Sequence, residues 1–192
     1  MKKEKFDKFI IVSDVNSVDE IKSAADNESD IFAVVIKTDD EFEISSEYRD
    51  YLKNSGFITV LYSSDMSVFS ADFIMQFDIR LAEKEYFITA DIFKELDIER
   101  YTLLCGRTEA YRLSTCFSGR KNTDFKSRLV SITEGTDGVR EFCTSLFKEK
   151  SNEEIRSIME CLTAARSGDI SKVFAAESRN FYSMVSLKAG NK

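Results

Sequence analysis

Three short apolar runs constrain this chain more than any other feature: Phe9-Ile10-Ile11-Val12, Ile31-Phe32-Ala33-Val34-Val35-Ile36 and Phe57-Ile58-Thr59-Val60-Leu61-Tyr62. Each is strand-sized, rich in β-branched residues and apolar at consecutive positions, the pattern of a strand covered on both faces. Segments of helical length separate them. After the first run, Ser17-x-x-Glu20 makes a capping box, in which the serine hydroxyl accepts the Glu20 amide and the carboxylate returns to the Ser17 amide. Asn27-Glu28-Ser29-Asp30 ends that helix. An acidic turn, Lys37 to Glu41, follows the second run, and a polar amphipathic stretch through Tyr48, Tyr51 and Leu52 reaches Gly56. This is a βαβ rhythm, and right-handed crossovers set such strands side by side in a parallel sheet with helices on its faces.

Further on, Ala71, Ile74, Met75 and Phe77 form a short helical face, and Ile79-Arg80-Leu81 a short strand. From about Asp91 the chain turns helical, with one last short strand at Leu129-Val130-Ser131-Ile132. Ser151-x-x-Glu154 caps a helix whose buried stripe is Ile155, Ile158, Met159 and Leu162. Gly168-Asp169 separates it from a final helix bearing Val173, Phe174, Phe181 and Val185. With 192 residues, one domain is expected, comprising an α/β core over 1–135 and a helical region over 136–192.

Composition then narrows the chemistry. There is no histidine, which removes Ser/His/Asp triads, His-ligated zinc and imidazole bases together. Acid/base work falls to Asp, Glu, Lys, Tyr or Cys. A formal charge of -7, with no dense basic stripe, argues against binding a nucleic-acid backbone. The apolar runs are too short for a membrane span, and Lys2, Lys3, Lys5 and Lys8 read as a solvated basic terminus. Cys105, Cys116, Cys143 and Cys161 are widely spaced without a CxxC, so they read as buried apolar side chains in a reducing, cytoplasmic setting, and no metal site is assigned. Ser13, Ser63 and Ser64 end strands where α/β ligands bind, but no partner base makes them nucleophiles.

Particular residues carry a family resemblance. Phe77-Asp78-Ile79-Arg80-Leu81-Ala82-Glu83, followed by a spacer and Phe87, is similar to the "CDIRIASE" stretch of the enoyl-CoA hydratase/isomerase (crotonase) superfamily. Leu104-Cys105-Gly106-Arg107-Thr108-Glu109-Ala110, Ser118-Gly119-Arg120 and Arg128-Leu129-Val130 then follow the order "VGRxxA", "TGR" and "GLV". Ala164-Ala165-Arg166-Ser167-Gly168-Asp169, with Ala176-Glu177 and Phe181, resembles the family's C-terminal helices. The resemblance implies a crotonase-like (ClpP/crotonase) ββα-type core with C-terminal helices, in a short, divergent member.

It also implies a chemistry. The family meets the negative charge that develops on a thioester oxygen with two backbone N–H donors, which need no reorganisation. One follows a pattern like "FxAGADL", here Phe42 to Tyr48, with Ser46 at the donor position. The other lies in "GGGxELAxxCD", where Val68-Phe69-Ser70-Ala71 replaces the glycines, Phe69 or Ser70 takes the donor position and Asp72 the acidic one. The second acid of hydratases falls on Asp91, four residues after Phe87. Two carboxylates can divide a hydration, one handling water and the other protonating the α-carbon. Either Asp can instead serve only as a helix N-terminal carboxylate.

Gly106-Arg107 and Gly119-Arg120 read as caps and surface arginines or as contacts to a CoA phosphate; Phe87, Phe93, Tyr101, Tyr111 and Phe117 read as core or as an acyl tunnel. The expected activity is hydration/dehydration or isomerisation of an acyl thioester carried on CoA or on the phosphopantetheine of an acyl carrier protein, in a homotrimer or hexamer, with no further cofactor. The lost glycines suit the runner-up, a degenerate, non-catalytic binding or scaffold subunit, and a thioester decarboxylase is a third alternative.

Overall fold

A computed structural model describes residues 1–15, 17–26, 28, 30–42, 44, 50–51, 55–118, 124–166, 171–172, 174–176 and 178. Its elements run β1 (Lys2–Lys5), β2 (Phe9–Ser13), α1 (Val18–Asp26), β3 (Ala33–Lys37) and β4 (Ile58–Ser63). A 3-10 turn at Met66–Val68, α2 (Ala71–Ile74), β5 (Ile79–Ala82), β6 (Phe87–Ile88), α3 (Ala90–Glu95), α4 (Ile98–Cys105) and α5 (Arg107–Ser118) come next. The described part continues with β7 (Phe125–Lys126), β8 (Ser131–Ile132), α6 (Gly135–Phe147) and α7 (Asn152–Arg166).

The three apolar runs become neighbouring parallel strands in a sheet ordered β1-β2-β3-β4-β5-β8. Register pairs Ile11 with Val35 and Val35 with Val60. Consecutive residues point to opposite faces, so each run supplies two cores. Ile10, Val12, Val34, Ile36 and Leu61 pack toward α1 and α2, where Ile21, Ala24 and Ile74 meet them. Phe9, Ile11, Val35, Val60 and Tyr62 pack against Val139, Cys143 and Phe147 of α6 and Ile155 and Met159 of α7. Each such side chain, once buried, contributes about 1.5–3 kcal/mol of transfer free energy.

Several details depart from the expectation. Lys2–Lys5 is solvent-exposed along its length, as a basic terminus should be, but it also forms an antiparallel edge strand on β2 that the sequence pattern did not indicate. Lys3 and Lys5 both pair with Glu28, and Lys2 with Asp14 at 3.0 Å. A lysine-studded edge also discourages another strand from adding there. β6 and β7 form a separate two-stranded antiparallel ladder too short to register in the sequence pattern. The Ser151–Glu154 box forms reciprocally, with 3.2 Å from the Glu154 amide to the serine hydroxyl and 2.9 Å from the Ser151 amide to the carboxylate. Of the stripe assigned to α7, Ile155 and Met159 are buried, whereas Ile158 and Leu162 are exposed. Gly106 separates α4 from α5 at φ 85°, a left-handed value that glycine takes without Cβ strain.

Asp78, Arg80 and Arg166 tie the strands and α7 together. The Asp78 carboxylate accepts both the amide and the hydroxyl of Thr59, each at 2.8 Å, which explains the one polar residue within the third apolar run. Arg166, at the end of α7, donates to both Asp78 oxygens at 3.1 and 2.6 Å and to the carbonyls of Ser55 and Phe57. Arg80 is buried and donates to the carbonyls of Leu129 and Phe77 at 2.8 and 2.5 Å.

Candidate active site

The carboxyl ends of β2 and β3 open on a polar cavity of about 430 Å3 lined by Ser13, Asp14, Lys37, Asp39, Asp40 and Glu41, among others. This is the edge of a parallel sheet where α/β folds hold ligands. Asp39 accepts the Ser63 hydroxyl at 2.8 Å and the Ser64 amide and hydroxyl at 3.3 and 3.2 Å, which hold its carboxyl below the usual range despite some burial. Ser63 and Ser64 thus fasten the β3 exit to the β4 exit. Lys37 donates to the Thr136 hydroxyl at 3.0 Å, and Tyr62, pushed up to about 12 by burial, donates to Glu83 at 2.6 Å.

Phe42 leaves this turn and buries its ring edge-on to Phe73, with centroids 5.2 Å apart. Phe69 stacks on Phe73, also at 5.2 Å, and is only 3 % exposed. The phenylalanine in place of a family glycine is therefore core. Its backbone sits at φ -102° and ψ 151°, which any residue adopts, so the lost glycine leaves no strain. The Phe69 amide donates to the Met66 carbonyl at 3.3 Å, closing the 3-10 turn. The Ser70 amide donates to the Glu41 carboxylate, while the Ser70 hydroxyl caps α2 by accepting the Phe73 amide at 3.3 Å. Both described donor positions therefore already have acceptors from the chain itself.

Asp72 lies in the first turn of α2 with its side chain 58 % exposed, 3.8 Å from the Arg100 guanidinium and 3.3 Å from the Gln76 side-chain nitrogen. Asp91 lies in the first turn of α3, capped by Thr89, with its side chain 90 % exposed and paired to Lys94 at 2.8 Å. That ammonium lowers the Asp91 carboxyl, which favours the ionised form rather than a proton donor near neutrality. Phe69, Ser70 and Asp72 share one short turn, whereas Asp91 belongs to a separate helix with its own partner. Ser46 lies outside the described residues, as does Gly119-Arg120.

The aromatic set divides. Phe93 and Phe117 stack at 4.7 Å, and Tyr101 is buried with its hydroxyl 2.8 Å from that of Ser127. Tyr111 and Phe87 are exposed, so the five do not line one tunnel. Glu109 is a buried carboxylate bonded to Arg112 at 2.9 Å and to the Arg128 amide at 3.3 Å. The four cysteines are free thiols; Cys143 is buried, and its burial pushes the thiol up to about 12. Among the described residues there is no group of three metal-ligating side chains and no helix long and apolar enough to cross a membrane.

Sequence reasoning passed over Glu41 and the Met66 carbonyl. Glu41 was visible only as part of an acidic turn, and nothing local relates it to an amide 29 positions away.

No family model matches the chain, and no curated protein matches it. Solved structures do. One is an enoyl-CoA hydratase/isomerase from Cupriavidus metallidurans CH34, with a TM-score of 0.59 at 12% identity over 96% of this chain and 88% of that one. Another is ThnE from S. clavuligerus, with a TM-score of 0.50 at 10% identity over 97% of this chain and 100% of that one. The chain has the crotonase-like α/β fold, a mainly parallel sheet with helices on both faces. At such identity the likeness concerns the fold alone.

Proposed function

We propose that this protein is a crotonase-fold binding or scaffold subunit that carries out no enolate chemistry. The observation supporting this is that the Ser70 amide is satisfied by the Glu41 carboxylate and the neighbouring Phe69 amide by the Met66 carbonyl. An oxyanion site acts through donors aimed at the place where charge develops. A carboxylate at that place is both a competitor and a like charge to an enolate. Asp14, Asp39, Asp40 and Glu41 around Lys37 add a negative field at the adjoining cavity, which disfavours the phosphates of CoA. The outward-facing Asp72 and Asp91, each beside a cation, fit helix N-terminal and ion-pair roles.

The competing reading is an acyl-thioester hydratase or isomerase, with Asp72 and Asp91 as acid and base and Ser46 with Phe69 or Ser70 as donors. It draws on the likeness to an enoyl-CoA hydratase/isomerase along most of the chain. It requires Glu41 to leave Ser70 when substrate arrives. A panel of enoyl- and acyl-CoA esters, and the matching carrier-protein thioesters, separates the two. No turnover by the wild type is expected. Turnover that disappears in both Asp72→Asn and Asp91→Asn overturns the proposal in favour of hydration. Turnover kept in both favours decarboxylation.

A further inference from the structure

Helices α4 and α5 each turn one large apolar side chain to solvent. In α4, Tyr101 and Cys105 face the core, and Leu103, two positions from Tyr101 and so about 200° round the helix, is 86 % exposed. In α5, Ala110 and Leu113 are buried while Tyr111 is 74 % exposed. Neither side chain helps hold its own helix to the sheet. A charge stands one turn before each of them on the same face: Glu99 before Leu103 and Arg107 before Tyr111. Both are exposed, and neither side chain pairs with a described residue. Arg107 opens α5, where the positive end of the helix dipole disfavours a cation, and the nearby Glu109 carboxylate is already taken by Arg112 at 2.9 Å. Only Gly106 separates the two helices, so Leu103 and Arg107 flank one corner of the chain.

We propose that this corner is the two-fold interface of a homodimer, with Leu103 of each copy against the partner's Tyr111 and Glu99 against the partner's Arg107. A contact between identical surfaces must be complementary to itself: where one residue meets a second, the second meets the first. One exposed apolar side chain and one unpaired charge on each helix, of opposite sign, meet that condition within a single chain. A partner of other chemistry accounts for only half of it, since an acidic surface would oppose Glu99 and a basic one Arg107. Helices of 8 and 12 residues offer less than the roughly 20–30 residues a side of a standard interface, so the dimer is a weak one, dissociating in the micromolar range. This goes beyond the reading above and takes nothing from the Ser70 turn.

Sedimentation equilibrium of the whole chain over a range of concentrations should show monomer and dimer in exchange. Leu103→Ser should weaken association about 10-fold or more without lowering the urea midpoint, because that side chain is in water in the monomer. Charge reversals give the decisive measurement. Glu99→Arg alone and Arg107→Glu alone each set two pairs of like charges across the two-fold axis, and each should weaken dimerisation about 10-fold or more. Mixed in equal amounts, the two variants should form a heterodimer as tight as the wild-type dimer, because every reversed charge then meets its opposite. A chain carrying both Glu99→Arg and Arg107→Glu should likewise regain the homodimer. Simple damage to the fold by either substitution gives no such rescue. The inference is overturned by a wild type that stays monomeric up to its solubility limit or by a mass other than that of one or two chains. It is equally overturned by single reversals that associate like the wild type, or by a mixture no tighter than its components. None of these outcomes depends on thioester turnover, which bears only on the reading above.

Discussion

Two regions that carry the family resemblance behave in opposite ways. At the base of β4 and β5, Asp78, Arg80 and Arg166 are half-buried or buried, and their polar groups are matched to carbonyls, an amide and a hydroxyl from distant segments. At the turn before α2, Ser70 and Asp72 are exposed, and the nearest equivalents of catalytic groups are satisfied by short-range partners or by Glu41. The first region holds the sheet to α7 and leaves little freedom for substitution, since an unpaired buried charge is costly. The second is a surface turn whose amides need only some acceptor. A chain can therefore keep the scaffold part of a family's pattern while the part that would meet a substrate is filled by its own side chains.

The sharpest way to break this contrast is at the first region. Arg166→Ala should remove about 3 kcal/mol of stability, read by urea denaturation, because it strands the Asp78 carboxylate beside the backbone of β4. A loss no greater than that of a surface ion pair would show that the clamp is not holding α7. Arg80→Met should cost about 2 kcal/mol by leaving the Leu129 and Phe77 carbonyls without their donor. At the second region, Ser70→Ala should cost about 1 kcal/mol, the usual size of a lost helix cap, and no more.

Acid should weaken the protein through other groups. The Glu28 carboxyl is lowered to about 2 by Lys3 and then Lys5, Asp65 to about 2 by Ser67 and then Lys84, and Asp39 is lowered chiefly by Ser63. Their folded values lie below the unfolded ones, so the contribution is complete above about pH 5 and is lost as pH falls toward about 2. Melting temperatures measured across that interval should fall, and added salt should blunt the part due to exposed Glu28. A flat profile would contradict the assigned pairs. The smallest effect belongs to Asp91→Asn, whose side chain is 90 % exposed and pairs with Lys94 on its own helix: an unchanged urea midpoint is expected, and a clear drop would place Asp91 in the scaffold after all.

Much of the framework was legible because it depends on local patterns. Consecutive apolar residues at 9–12, 31–36 and 57–62 marked buried parallel strands, and Ser151 with Glu154 marked the start of α7. β1 escaped because four exposed residues alternate nothing apolar; only pairing with β2 makes Lys2–Lys5 a strand. β8 shrank to Ser131–Ile132 because the ladder with β5 reaches only those two residues. At the candidate site, the positions of Phe69, Ser70, Asp72 and Asp91 followed from spacing, but their surroundings did not. The stacking of Phe69 on Phe73 depends on the turn that the chain makes between β4 and β5.

By itself, then, the sequence determined a two-sided parallel sheet, since runs so nearly continuous in apolar residues, interrupted only at Thr59, have no stable place in water on either face. It also removed imidazole chemistry, since no residue can supply it. Only the tertiary structure decided that Glu41 meets the Ser70 amide and that Arg166 meets Asp78. Those pairs lie 29 and 88 positions apart, and their meeting depends on how adjacent strands align and where α7 lands, not on any local preference of the residues involved.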